Sequence, residues 1–332
     1  MSKVIIQRLS KEELMSKRKE RMIITGRVMR STGSWYTVLT DDNEHYQCKL
    51  KGRFRIKGIR TTNPIAVGDK VEFVVGNEDN SGVIQKIFDR NNYVIRKATK
   101  LSKAAHIIAS NLDQAIIITS LVKPRTSTGF IDRFLVTTEA YHIPTVIVFN
   151  KYDLYNDDLK KRLDEYIKVY THAGYTCLVT SVKENYHVSD LKKLLDGKTS
   201  LLSGHSGVGK SALINKIDPG LNLKEGELSV MHEKGKHTTT FAEMFPLSFN
   251  GFIIDTPGIK EFGLVGFDSE ELGQRIPEIR RLMPQCRFNN CVHVNEPGCA
   301  VIEAVENGEI ARFRYVNYLK MFDDIRFVEL PK

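Results

Sequence analysis

The stretch Gly204-His205-Ser206-Gly207-Val208-Gly209-Lys210-Ser211 constrains this chain more than any other. The pattern G-x-x-x-x-G-K-S works only between a β-strand and an α-helix. The backbone N–H groups of its glycine-rich turn must converge on phosphate oxygens at a positive helix N-terminus. An apolar run at 200–202 precedes the turn and a helix-forming run at 212–216 follows it. In that setting all six residues 204–209 wrap the phosphates, Lys210 reaches the β and γ groups, and Ser211 ligates Mg²⁺. The motif alone does not choose between ATP and GTP.

Asn150-Lys151-Tyr152-Asp153 makes that choice, directly after the apolar run 145–149. A carboxylate at Asp153 accepts two hydrogen bonds from the N1–H and N2 amino groups of guanine. Adenine has no such donor pair and would leave the acid unpaired, which argues against the competing reading as a P-loop kinase or metabolic ATPase. The Lys151 stem covers the base and Asn150 braces the loop. Thr180-Ser181, at the end of the next apolar run, matches the loop whose backbone N–H meets guanine O6. Asp255-Thr256-Pro257-Gly258 follows another such run, placing Asp255 to hold Mg²⁺ through water and the Gly258 N–H to sense the γ-phosphate. Between these loops lies Gly235-Lys236-His237-Thr238-Thr239-Thr240, with the polarity of a first switch loop. Thr239 is the favoured Mg²⁺ ligand, although Thr238 and Thr240 leave the register open. Position 259 is Ile, where a water-orienting Gln would stand in Ras-type enzymes. His237 is the candidate to align the attacking water as a catalytic residue, set against the plain alternative of a solvated loop histidine.

The order of these motifs is unusual, because the guanine-reading loops precede the phosphate loop. Circular permutation leaves the site intact, since every motif sits at a strand end on one edge of the sheet. Strands at 115–120, 145–149, 175–180 and 200–202 alternate with helices at 129–142, 157–172 and 188–195, which predicts a parallel α/β sheet. Two more strands, at 241–246 and 252–255, complete it.

Before residue 98 the texture differs. Essentially all of the net charge of +9 lies there. Short β-type runs at 26–28, 35–39, 45–50, 70–75 and 82–88 are separated by turn signals and predict a small barrel of the OB type. Its middle alternates cations with apolar and aromatic residues: Lys49, Lys51, Arg53, Phe54, Arg55 and Lys57. That arrangement can pair phosphates and stack a base, as an RNA-binding face would; a solvated strand face is the alternative. Residues 1–20 form a charged extension, and 97–103 a basic connector.

Cys286-x₄-Cys291-x-His293-x₅-Cys299 places three thiolates and an imidazole within fourteen residues, which suits one tetrahedral, structural zinc ion. Cys48 and Cys177 stand alone in strand-like runs as inert core residues. No apolar run is long enough to span a bilayer and no secretory h-region is visible, so a cytoplasmic location is expected.

With these residues in hand, the chain resembles the ribosome small subunit-dependent GTPase A family. The likeness runs from about Gly26 to the C-terminal helices. It includes segments with no catalytic purpose of their own: Trp35-Tyr36-x-Val38, Lys51-Gly52-x-Phe54-Arg55, Val67-Gly68-Asp69-x-Val71, Asn111-x-Asp113-Gln114 and Ile131-Asp132-Arg133. Tyr186-His187 departs from the pattern, standing where a glycine is often found. The resemblance implies an N-terminal OB-fold barrel over 21–96, a circularly permuted α/β P-loop GTPase domain over 97–265 and a zinc-binding helical domain over 266–332. It also implies GTP, GDP, Mg²⁺ and Zn²⁺ as ligands and a monomer that binds the small ribosomal subunit and its rRNA late in maturation. Subunit-stimulated hydrolysis would then release it. A non-catalytic RNA-binding scaffold is the other reading of the same motifs.

Overall fold

Five short strands of the N-terminal region alternate buried and exposed side chains, the period that puts one face of a sheet into a core. They are β1 (Ile23–Ser31), β2 (Tyr36–Thr40), β3 (His45–Leu50), β4 (Lys70–Val75) and β5 (Gly82–Ile87). In this computed structural model, which describes residues 23–50, 64–76, 81–97, 105–223, 242–255 and 268–329, they close on themselves. Strand β1 pairs with β2, β2 with β3, β3 in parallel with β5, β5 with β4, and β4 returns to β1. Closure removes every free edge, and the parallel β3–β5 contact gives the OB-type connection. Val28, Tyr36, Val38, Cys48, Val71, Phe73 and Ile84 fill the barrel. Burial pushes the Cys48 thiol up to about 12 and the Cys177 thiol to about 11, which fits unreactive packing groups. Of the predicted RNA-facing residues only Lys49 lies within the described part, its ammonium 4.0 Å from the centre of the Trp35 ring. Lys51, Arg53, Phe54, Arg55 and Lys57 lie outside it, as do residues 1–20.

The expected basic connector is flanked by paired strands, β6 (Tyr93–Lys97) and β7 (Ala105–Ser110), which form a two-stranded antiparallel sheet. Val94, Ile107 and Ala109 are buried on one side of it. The charges between the strands masked this alternation in the sequence. Asp69 ties the barrel to the hairpin. Its buried carboxylate accepts from Arg90 Nε and Nη2, both at 2.6 Å, from Ser110 Oγ at 2.6 Å, and from the Ala66 amide at 2.8 Å.

Beyond the hairpin, β8 (Gln114–Thr119), β9 (Thr145–Phe149), β10 (Thr176–Val179), β11 (Thr199–Ser203), β12 (Glu243–Leu247) and β13 (Gly251–Asp255) form a sheet in the order β10-β9-β8-β11-β13-β12. The first five run parallel, as predicted. Strand β12 does not: it is antiparallel to β13. The turn 248–250 joining them is too short for a parallel crossover, which needs a dozen residues or more. At its far edge β12 meets the barrel through Arg30 and Glu243.

The central strands are buried on both faces, and alternate residues go to opposite sides. Ile117, Ile147, Phe149 and Leu201 pack with Ile131, Phe134 and Leu135 of α1 (Thr128–Ala140) and Leu163 and Tyr170 of α2 (Asp157–His172). Ile116, Ile118, Val146, Val148 and Leu202 pack with Leu191 and Leu195 of α3 (Val188–Leu195) and Leu213 and Ile214 of α4 (Lys210–Ile217). Each such aliphatic side chain contributes about 1.5–3 kcal/mol by leaving water. The parallel direction of β8, β9, β10, β11 and β13 then places their C-terminal ends together at one edge. At the C-terminal end, α5 (Pro277–Leu282), α6 (Ala300–Glu306) and α7 (Arg312–Glu329) gather around Leu272, Ile279, Val301, Tyr318 and Met321, joined by Val136 of α1. No helix among the described residues is long and apolar enough to cross a membrane.

Candidate functional site

The glycine-rich turn runs from the end of β11 to the first residue of α4, as the motif demands. Gly204 and Gly209 adopt φ of 142° and 102°, conformations that side-chain-bearing residues rarely reach. A Cβ at Gly204 would lie 2.3 Å from the Ile118 carbonyl, and one at Gly209 2.4 Å from Asn150 Nδ2. The turn is thus held against its neighbours by bare backbone, leaving a concavity suited to phosphate oxygens. Lys210 is 5% exposed, and its Nζ donates to the carbonyls of Gly204 (2.8 Å) and His205 (3.0 Å). Burial pushes its ammonium down to about 8 against the pull of Asp255. An entering phosphate would reverse that shift, so the site favours an anion. Ser211, at the head of α4, and Asp255, which ends β13 beside Leu202 of β11, are both buried. His205 stacks on Phe130 of α1 with ring centres 4.1 Å apart.

The guanine-type loops are bonded to this turn and to each other. Asn150 Nδ2 donates to the Val208 carbonyl at 3.0 Å and Lys151 Nζ to the Gly207 carbonyl at 2.6 Å. Thr180 Oγ1 donates to Asn150 Oδ1 at 3.0 Å, and the Tyr152 amide donates to the Thr180 carbonyl at 3.1 Å. Ser181 Oγ donates to Asp153 Oδ1 at 2.7 Å. Each carboxylate oxygen carries two lone pairs, so capacity remains for a donor pair on a base. Asn150, Thr180 and Ser181 are buried, and Tyr155 locks the loop below by donating to the Asn150 carbonyl at 2.8 Å. His187, of the Tyr186-His187 pair, sits at φ 50°, the left-handed conformation that glycine adopts without cost. His237, Thr239 and Gly258 fall outside the described residues.

The second constellation is a knuckle between α5 and α6. The ligand atoms of Cys286, Cys291, His293 and Cys299 all lie within 4.8 Å of one another. Cys286 Sγ is 3.6 Å from His293 Nδ1 and 4.0 Å from Cys299 Sγ, while His293 Nδ1 is 3.4 Å from Cys299 Sγ. A tetrahedral ion with bonds of about 2.0–2.3 Å sets edges of roughly 3.5–3.8 Å, so the four donors could hold one metal cation. Burial pushes the Cys291 thiol up to about 12, so a thiolate there calls for a cation beside it. Burial also lowers His293, keeping the imidazole in its neutral, ligating form. The loop is shaped by Glu296, whose carboxylate accepts from the amides of Val292 (2.8 Å), Val294 (2.9 Å) and Asn295 (3.1 Å).

A family model described as the RsgA GTPase matches residues 87–265, and one described as the RsgA N-terminal domain matches residues 25–84. The chain belongs to the RsgA GTPase family. It is similar to the small ribosomal subunit biogenesis GTPase RsgA 2 of Bacteroides thetaiotaomicron, at 52% identity over 90% of this chain and 96% of the relative. The small ribosomal subunit biogenesis GTPase RsgA of Flavobacterium johnsoniae is 49% identical, over 90% of this chain and 93% of its own length. Among solved structures, YjeQ from Thermotoga maritima superposes with a TM-score of 0.74 at 37% identity, covering 92% of this chain and 99% of that one. YloQ, described as a circularly permuted GTPase, gives 0.72 at 29% identity, covering 95% and 99%.

As an RsgA GTPase the chain is a GTP-hydrolysing enzyme that takes guanine nucleotide, and segments without catalytic purpose now acquire structural ones. Asp113 accepts from the Thr199 amide at 2.7 Å, and Gln114 Nε2 donates to Ser200 Oγ at 2.9 Å, fixing β8 against β11 below the phosphate loop. Asp132 of α1 meets the C-terminal helix: Arg314 and Asn317 of α7 both donate to it, Asn317 at 2.6 Å, and Tyr170 OH adds a third bond at 2.9 Å. Arg314 Nε also donates to Glu278 of α5 at 2.6 Å. Sequence reading noticed Asp132 but missed Arg314 and Glu278. A charged residue in a polar-looking helix gives no signal of burial until its partner, 182 residues away, is placed beside it.

Proposed function

We propose that this RsgA GTPase is a small ribosomal subunit assembly factor, switched by GTP and released late in maturation by subunit-stimulated hydrolysis. The observation that carries the guanine reading is the direct bonding of Asn150 and Lys151 to the backbone of the phosphate loop. That bonding supports a single nucleotide site shared by Asp153 and Lys210 despite the permuted order. In it, Asp153 reads the base, Lys151 and Asn150 support it, and Thr180 and Ser181 meet guanine O6. Residues 204–209 wrap the phosphates and Lys210 neutralises them. Ser211, Asp255 and Thr239 would hold Mg²⁺, which when bound screens the charge developing on the phosphates. Gly258 senses the γ-phosphate and His237 orients water, both assigned from position in the chain.

The chain divides into a barrel over 21–96, a nucleotide domain over 97–265 and a metal-binding helical domain over 266–332. Cys286, Cys291, His293 and Cys299 hold one structural Zn²⁺; four protein donors leave no open position for catalysis. The protein acts as a cytoplasmic monomer, gripping rRNA through the basic barrel face that includes Lys49. The names of the relatives support the subunit as partner. The test is co-sedimentation with purified small subunits, together with GTP turnover with and without them. Retention with a non-hydrolysable GTP analogue, loss with GDP and a strong rise in turnover are expected. Equal retention and equal rates would overturn the proposal.

A further inference from the structure

The two guanine-reading loops are joined by bonds among motif residues and by one side chain that belongs to neither motif. After β10 the chain makes a tight hairpin in which Ser181 and Tyr186 exchange both backbone hydrogen bonds, at 3.1 and 2.9 Å. Inside it, Ser181 Oγ accepts from the Glu184 amide at 3.2 Å and donates its proton to Asp153, 2.7 Å away, since a carboxylate only accepts. The hairpin's end then reaches back. The Tyr186 ring lies face to face with Tyr152, centres 5.3 Å apart and planes 18° from parallel, and His187 stacks on its neighbour at 4.1 Å. Tyr152 immediately precedes Asp153 and also meets Tyr155, the residue that pins Asn150. Tyr186 is 38% exposed, so its ring is placed for this contact and not for a core.

We propose that Tyr186 is a positioning residue for guanine selectivity: its ring clasps Tyr152 and holds the Ser181 hairpin against the loop that carries Asp153. The inference rests on the guanine reading of Asp153 given above. An acid that must meet two donors on one base edge tolerates little displacement, whereas the phosphate contacts lie at another loop and are untouched. Loss of the ring therefore loosens base reading alone.

The test uses calorimetry on the full-length protein with GDP and with IDP, which lacks the N2 amino group. Tyr186→Ala is expected to weaken GDP by about fivefold, the size of one aromatic pair, and IDP by less, so that the GDP-to-IDP ratio shrinks. In GTP turnover KM rises while kcat holds. Tyr186→Phe, which keeps the ring, matches the wild type. An unchanged GDP-to-IDP ratio in Tyr186→Ala overturns the proposal, whether neither nucleotide weakens or both weaken equally. Asp153→Asn in parallel separates the two levels. If it loses guanine preference while Tyr186→Ala keeps it, only the clasp is wrong. If it also keeps that preference, the guanine reading falls and this proposal with it.

Discussion

The phosphate cradle and the cysteine knuckle both gather groups suited to charged ligands, yet they are organised in opposite ways. In the cradle, the cations Lys210 and Lys151 rest on main-chain carbonyls of the turn itself, and bare glycine backbone presses against Ile118 and Asn150. Its shape is a property of the sheet and helix that flank it. In the knuckle, three thiols and an imidazole converge from a stretch with little regular structure, tied by Glu296 and by Tyr315 OH donating to the His293 carbonyl at 2.8 Å. There a bound metal ion would be part of the fold. The lesson is that a site carried by rigid elements can exchange its ligand every cycle, whereas one carried by side chains on a loop has to keep it.

The largest expected effect sharpens this contrast. Stripping a metal from the knuckle with a chelator should forfeit an apparent binding energy on the order of 10–16 kcal/mol, and Cys291→Ser, which removes one of four donors, a part of it. The C-terminal helices should lose protease protection while GDP affinity holds; loss of both together would break the comparison. Arg314→Ala comes next. It strands Asp132 and Glu278 as buried carboxylates and should cost about 3–5 kcal/mol in denaturant unfolding, whereas the double variant with Asp132→Asn recovers part of it. Lys210→Ala follows, with single-turnover hydrolysis falling by about 10²–10³ at nearly unchanged thermal stability, as expected of a charge aimed at ligand and not at the fold.

The smallest effect is a pH dependence. Lys210 is held down to about 8, below its unfolded value near 10.4. Below pH 8 it is charged in both states and burial costs stability; that cost is relieved as pH rises from 8 towards 10.4. Nucleotide affinity runs the other way, because phosphate prefers the protonated amine. GDP binding should take up a proton at pH 8.5 and none at pH 6.5, read by calorimetry in buffers of different ionisation enthalpy. Affinity should fall by at most about tenfold per pH unit above 8.

Much of the candidate site was legible because its parts are local. A strand, a glycine-rich turn and a helix are contiguous in 199–217, and the alternation of apolar residues gave five barrel strands to within a few residues. The hairpin at 93–110 was less visible, since the charged stretch between its strands outweighed short apolar alternations. The antiparallel direction of β12 follows from the length of the turn 248–250, which an alternation of strands and helices does not encode.

What the sequence determined by itself was chemistry tied to spacing: the phosphate turn, the Asn150–Asp153 loop after its strand, the cluster of three cysteines and a histidine, and the permuted order. Tertiary structure alone decided which distant side chains complete them. Asn150 on Val208, Tyr186 on Tyr152 and Arg314 between Asp132 and Glu278 are contacts between elements far apart in the chain or lacking any motif. The reason is physical. Local motifs are fixed by bond geometry within a few residues, but the partner of a buried charge or an aromatic ring is set by which surfaces the packed sheet brings within a few ångströms.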